Sequence, residues 1–73
     1  MSYMAADHFK LIIKALRVKA DPNMVKAVRK HLVDGYPVKG SANFYEVDPG
    51  NARRLIKRIK EVYEAAQKIG KSI

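Results

Sequence analysis

The stretch Asn51–Lys60, NARRLIKRIK, decides the expected fold because it places cationic and apolar residues at helical spacing. Asp48 and Pro49 precede it, and this pair is typical of a helix start because the carboxylate accepts hydrogen bonds from free backbone N–H groups. The pattern continues to about Ile69, where Gly70 ends it. The apolar residues of the predicted helix form one stripe along its length: Ala52, Leu55, Ile56, Ile59, Val62, Tyr63, Ala66 and Ile69. We therefore predict a long C-terminal amphipathic helix whose stripe makes the largest contribution to the core.

Two shorter helices are predicted before it. The segment from Ala5 to Val18 has one apolar face at helical spacing. That face consists of Phe9, Ile12, Ile13 and Leu16. Asp21 and Pro22 then start a second helix, which Gly35 ends. Its inward residues are Val25, Val28 and Leu32. The short connection between the two helices predicts a helical hairpin or a helix-turn-helix.

The segment Tyr36–Val47, YPVKGSANFYEV, combines turn residues with residues that favour strands. This composition predicts a short β-hairpin with its turn within Lys39–Asn43. The expected fold class is therefore α+β. The expected architecture is a small winged-helix-like domain, in which a helix-turn-helix is followed by a short β-hairpin and the long C-terminal amphipathic helix.

The composition indicates one small globular domain over residues 1–73. The absence of cysteine excludes disulfides and thiolate zinc sites, and no apolar run reaches the about 18 residues of a membrane span. We therefore expect a cytoplasmic protein without a membrane partner. Dimerisation would add buried area to a thin core, and Met1, Tyr3 and Met4 are interpreted as a loose terminus or a dimer contact.

Two basic helices and the expected hairpin tip are the candidate nucleic-acid-binding elements. The formal net charge is +8, and no acid occurs between Arg53 and Lys60, although solvated helix faces usually carry both signs of charge. The second helix follows a short turn, where helix-turn-helix proteins place the helix that enters the major groove. The candidate residues are Lys26, Arg29, Lys30, Lys39, Asn43, Arg53, Arg54, Lys57 and Arg58.

The segments RVKADPNMVKAVRKHLVDGYPV, residues 17–38, and FYEVDPGNARRLIKRIK, residues 44–60, carry a family resemblance. Their order of elements resembles the winged helix-turn-helix of the excisionase and MerR-like group of small DNA-binding proteins. The resemblance implies that Met24–Leu32 is the recognition helix and Lys39–Asn43 the wing. It also implies that Tyr45, Asp48 and Leu55 belong to the closing element. The implied function is a DNA-binding regulator or recombination accessory factor.

Other functions stay open. No catalytic motif occurs, so we expect no enzyme, and we expect no cofactor. His8 and His31 have no carboxylate at the i, i+4 spacing of a helix that would complete a metal site, so no metal is expected. An RNA-binding domain would use Phe44 and Tyr45 to stack on bases, although core packing is the favoured role of these two rings. A protein-interaction module would bind an acidic protein through the basic faces, with Leu11 as an apolar contact.

Overall fold

The structure is a computed structural model that describes residues 3–72 of the chain, with side chains for residues 3–69. It contains four helices: α1 Ala6–Leu16, α2 Pro22–Leu32, α3 Val38–Phe44 and α4 Pro49–Ser72. Helix α2 contacts the other three helices, and α4 also packs on α1 and α3. No helix in the described range is both long enough and apolar enough to cross a bilayer.

Both predicted Asp-Pro helix starts are confirmed. The Asp21 carboxylate accepts a 2.8 Å hydrogen bond from the backbone N–H of Asn23, and Pro22 is the first residue of α2. The Asp48 carboxylate accepts a 3.0 Å bond from the backbone N–H of Asn51 in the first turn of α4. Each aspartate thus satisfies a backbone donor that has no partner within its helix.

The core lies between α1, α2 and the N-terminal half of α4. Its buried members are Met4, Phe9, Ile12, Val28, Leu32, Ala52, Ile56 and Ile59. The inward faces predicted for α1 and α2 are therefore confirmed. The C-terminal end of the predicted α4 stripe is not buried, since Ala66 is exposed and Ile69 is 65% exposed. The core is thus concentrated on the first three turns of α4.

The N-terminal segment is part of the fold. The backbone N–H groups of Tyr3 and Met4 both donate to the carbonyl of Leu32, at 2.8 and 3.1 Å. The Met4 side chain is buried in the core. The interpretation of Tyr3 and Met4 as a loose terminus is therefore wrong, and Met1 lies outside the described residues.

The predicted β-hairpin is wrong, because residues 38–44 form helix α3 and the described part of the chain contains no strand. Pro37 has extended dihedral angles, φ −60° and ψ 147°, and stands at the N-cap of α3. Ser41 and Ala42 are buried, whereas Val38 and Tyr45 are half-buried, which is the i, i+3, i+4, i+7 spacing of a helix. Burial of these small residues outweighs the strand propensity of their neighbours. The fold is all-α, not α+β or winged-helix-like.

Helices α1 and α3 end in the same backbone motif. After α1, the N–H of Val18 donates to the carbonyl of Ile13, and Arg17 has φ 50°. After α3, the N–H of Val47 donates to the carbonyl of Ala42, and Glu46 has φ 56°. These six-residue hydrogen bonds with a left-handed residue inside them are Schellman motifs, which usually contain glycine. The second motif ends α3 at a turn that leads directly into α4, whose first residue is Pro49.

Candidate nucleic-acid interface

The most concentrated positive charge lies on the first half of α4. Its exposed cations, which we call the α4 basic ridge, are Arg53, Arg54, Lys57 and Arg58. The ridge is exposed because Ala52, Ile56 and Ile59 occupy the opposite, buried side of the helix. In the described part of the chain, no ridge side chain has a hydrogen-bond or ion-pair partner.

The arrangement of the ridge opposes the stability of α4. Arg53 and Lys57 are four residues apart, as are Arg54 and Arg58, and like charges at this spacing destabilise a helix by about 0.2–0.5 kcal/mol per pair. The first turn of α4 contains no acid, so the cations follow the positive end of the helix dipole without compensation inside the helix. Asp48 before the helix and Glu61 after Lys57 and Arg58 offset part of this cost, but Arg53 and Arg54 have no acid three or four residues away, so helix stability does not explain these two cations.

The ridge faces two different surfaces. Arg53 and Lys57 line a cleft together with His31 of α2 and Val38 of α3, which we call the α2–α4 cleft. The rest of this cleft is lined by Ile56, Lys60, Glu61 and Glu64. On the other side of α4, Arg54 and Arg58 line a groove. Its other residues are Ala20, Met24, Asn51 and Leu55. An extended polyanion could thus contact both sides of one helix.

The three candidate cations of α2 have different surroundings. Lys26 is exposed, and Arg29 lines a groove between α1 and α2 with Lys10 and Lys14. Lys30 is half-buried, with its Nζ atom 4.3 Å from the ring centroid of Tyr36. Lys26, Arg29 and Lys30 therefore start from neighbouring positions of α2, three and four residues apart, but Arg29 and Lys30 contact different surfaces.

The two candidate residues of the expected wing lie on a helix. Lys39 and Asn43 are both exposed on α3 and are four residues apart, so they share one helical face. Since residues 39–43 are helical, they cannot form a flexible hairpin tip. The structural basis for a wing that enters the minor groove is absent from the described residues.

Two nitrogen-bearing side chains that were not among the candidates, those of His31 and Lys60, join the site. His31 lines the α2–α4 cleft, and its Nδ1 atom lies 2.7 Å from the carbonyl oxygen of Tyr36. A carbonyl only accepts hydrogen bonds, so Nδ1 carries the proton and donates it. Lys60 also lines the cleft, and its Nζ atom lies 4.7 Å from the ring centroid of Tyr3. Lys60 lies within the basic stretch NARRLIKRIK, whereas no pattern in the sequence marks His31 or Tyr36.

The rings of Phe44 and Tyr45 meet edge to face, with centroids 4.9 Å apart and planes at 78°. Phe44 is 69% exposed, so the core role predicted for it is wrong, whereas Tyr45 is half-buried. Among the described residues, no group of three or more His, Cys, Asp and Glu side chains is placed to hold a metal ion.

Comparison of the chain with protein-family models, with characterised proteins and with solved structures found no match.

Proposed function

We propose that this protein binds nucleic acid without catalysing a reaction, and that the α4 basic ridge docks on the phosphate backbone of duplex DNA. The observation that carries the proposal is the clustering of four exposed cations without a carboxylate partner in the described chain. This clustering lowers the stability of α4, so it is better explained by an anionic partner. Phosphates would relieve the repulsion between Arg53 and Lys57 and between Arg54 and Arg58.

Binding of this kind is driven by the release of counterions from DNA. Each phosphate contact contributes about 0.9 to the slope of log affinity against log salt, so four ridge contacts contribute about 3.6. Phosphate contacts position a protein on DNA but do not read its sequence. Because α3 replaces the expected wing, we do not propose that the protein recognises a particular base sequence. Roles as a regulator or as a recombination accessory factor are both compatible with the proposal. A cytoplasmic location, which the absence of cysteine favours, belongs to the same proposal.

The competing proposal is that the basic surfaces bind an acidic protein. Both partners would contact the same cations, so the ridge alone does not separate them. The two partners are separated by a titration of labelled random-sequence duplex DNA in which binding is measured by fluorescence anisotropy. We expect saturable binding at low salt that weakens steeply as salt is raised. Absence of binding at low salt would overturn the DNA proposal and favour the acidic protein.

A further inference from the structure

Two aromatic rings lie exposed at the ends of α3. Tyr36 precedes the helix and is 51% exposed, and Phe44 is its last residue. The Nζ atom of Lys30 lies 4.3 Å from the centroid of the Tyr36 ring and 4.9 Å from that of the Phe44 ring. We call Tyr36 and Phe44 the aromatic pair.

The aromatic pair has no large role in the core. Neither ring belongs to the core cluster or to the partly buried residues packed against it. Cation–π contacts with Lys30 hold the two rings in place but leave much of their surface in water. Burial of large apolar side chains normally stabilises a protein, so two exposed rings leave apolar surface for another molecule to cover. A ligand with a flat apolar face fits these rings and the cation beside them.

The chemistry of the pair matches an unpaired nucleobase with its phosphate. Bases stack on exposed aromatic side chains in proteins that bind single strands, and every base has a face that can stack. The Lys30 ammonium, 4.3 and 4.9 Å from the two ring centroids, supplies a cation beside the stacking surface for a phosphate of the same strand. In duplex DNA the faces of the bases are covered by their neighbours, so the rings can stack only on an unpaired base.

One hydrogen bond links the aromatic pair to the α2–α4 cleft, although neither ring lines the cleft itself. The carbonyl of Tyr36 accepts a hydrogen bond from His31, whose ring lines this cleft beside Arg53 and Lys57. A strand that stacks on the aromatic pair can therefore continue along the cations of the cleft. The carboxylates of Glu61 and Glu64 line the cleft as well, and Glu64 accepts a hydrogen bond from the hydroxyl of Tyr3.

We infer that Tyr36 and Phe44 stack on unpaired bases and that Lys30 contacts the adjacent phosphate, so that the protein binds a single strand more tightly than the duplex DNA on which the α4 basic ridge docks. This inference rests on the proposed nucleic-acid binding and adds a second site to the α4 basic ridge. Single-stranded RNA and single-stranded DNA share the required chemistry, an unpaired base beside a phosphate.

The test compares labelled oligomers of one sequence as single-stranded DNA, single-stranded RNA and duplex DNA at one low salt concentration. The variant Tyr36→Ala/Phe44→Ala removes both rings and is expected to fold, because both are exposed. Leu11→Ala is the matched control, because Leu11 is 65% exposed and lies on α1. A single-stranded oligomer with abasic sites keeps the phosphates and removes the bases.

We expect the wild-type protein to bind single strands about tenfold more tightly than duplex, and the double variant to lose about that factor for single strands only. The abasic oligomer should bind the wild-type protein as weakly as the intact oligomer binds the variant. Leu11→Ala should bind like the wild type. Equal binding of RNA and DNA strands, or a preference for either, supports the inference.

Two results overturn the inference while the proposed function stands: duplex binding that equals or exceeds single-strand binding, or a double variant with unchanged single-strand affinity. Absence of binding to the duplex oligomer at low salt would overturn the proposed docking on duplex DNA, and absence of binding to all three oligomers would overturn the inference as well. Circular dichroism of the double variant shows whether its helices are intact. If they are not, Lys30→Gln replaces it, and unchanged single-strand affinity in that variant overturns the inference.

Discussion

The hydroxyl of Tyr3 donates a 2.7 Å hydrogen bond to Oε1 of Glu64, which lies 61 positions later in the chain. The ring of Tyr3 also packs on the ring of Tyr63, with centroids 5.6 Å apart, and on the ammonium of Lys60. One residue near the N-terminus thereby joins the middle of α4. Since Lys60 and Glu64 line the α2–α4 cleft, this contact also shapes the candidate site.

The first prediction concerns the pH dependence of this contact. The hydrogen bond to Glu64, followed by burial and by the charge of Glu64, raises the pKa of Tyr3 above its ordinary value of 10.0. A raised pKa in the folded state means that the protonated tyrosine stabilises the fold below pH 10, and that this stabilisation is lost as the pH rises through the folded pKa. Tyr3→Phe should therefore lower the free energy of unfolding by about 0.5 kcal/mol at neutral pH, a small value because the site is partly exposed.

Urea unfolding of both proteins at pH 8 and at pH 11 measures this difference. The gap between wild type and Tyr3→Phe should shrink at pH 11, and lysine titration affects both proteins alike. Tyr36→Phe is the control, because the Tyr36 hydroxyl has no hydrogen-bond partner in the described chain, and it should leave stability unchanged. A gap that is independent of pH would contradict the role given to the hydroxyl.

The second prediction tests whether residues 38–44 are helical. Gly40 lies inside α3, and a Cβ atom added to it would have no neighbour within 4 Å. Gly40→Ala should raise the free energy of unfolding by about 0.5–1 kcal/mol, because alanine loses less backbone entropy in a helix. Gly35→Ala is the matched contrast: Gly35 has φ 82°, so this change should be destabilising. Destabilisation by Gly40→Ala would favour a turn and contradict α3.

The third prediction concerns a buried hydroxyl in the same helix. Ser41 is 1% exposed, and its Oγ atom has no hydrogen-bond partner among the described residues. Ser41→Ala should stabilise the protein by about 1 kcal/mol, since it removes an unsatisfied buried group without creating a large cavity. In a domain of this size the melting temperature would rise by about 4–8 °C. Ser41→Val should lower the melting temperature instead, because Ser41 is buried and a larger side chain would strain the packing around it. Equal changes of melting temperature in the two variants would show that Ser41 is not tightly packed.

The fourth prediction concerns the end of α1. Arg17 has left-handed dihedral angles, φ 50° and ψ 50°, which strain a residue with a Cβ atom. Arg17→Gly should raise the free energy of unfolding by about 0.5–1 kcal/mol relative to Arg17→Ala, which removes the same charge but keeps the strain. Chemical denaturation of the two variants measures the difference. Equal stability would mean that α1 does not end in the Schellman motif described above.

Periodicity and capping residues in the sequence were sufficient to predict α1, α2 and the start of α4, whereas the predicted end of α4 at Gly70 is wrong, because the helix continues to Ser72. Phe9, Ile12, Val28, Leu32, Ile56 and Ile59 recur at helical spacing and are all buried. The Asp-Pro pairs at 21–22 and 48–49 set the two helix starts. Local signals of this kind depend on neighbouring residues alone, so they can be read before the fold is known.

Helix α3 could not be predicted in the same way because its local signals conflict. Val38, Phe44 and Tyr45 favour strands and Gly40 favours a turn, whereas burial of Ser41 and Ala42 favours a helix. Which signal prevails depends on packing of α3 against α2 and α4. Helix α3 also supplies Phe44 to the aromatic pair and Val38 to the α2–α4 cleft. The sequence therefore predicted the exposed cations of α4 but not the surface beside them.

The α4 basic ridge as a phosphate-contacting surface is tested most directly by the salt dependence of DNA binding. One variant changes Arg53, Arg54, Lys57 and Arg58 to Gln, and a control variant changes Lys10, Lys14, Arg17 and Lys19 to Gln. All eight side chains are exposed, and both variants lose the same charge. Affinity for labelled duplex DNA is measured by fluorescence anisotropy between about 50 and 200 mM salt.

We predict that the ridge variant lowers the slope of log affinity against log salt by about 3 to 4, and that the control lowers it by less than about 1. Equal losses of slope in the two variants would show that only net charge matters and would contradict the assignment of phosphate contacts to the α4 basic ridge.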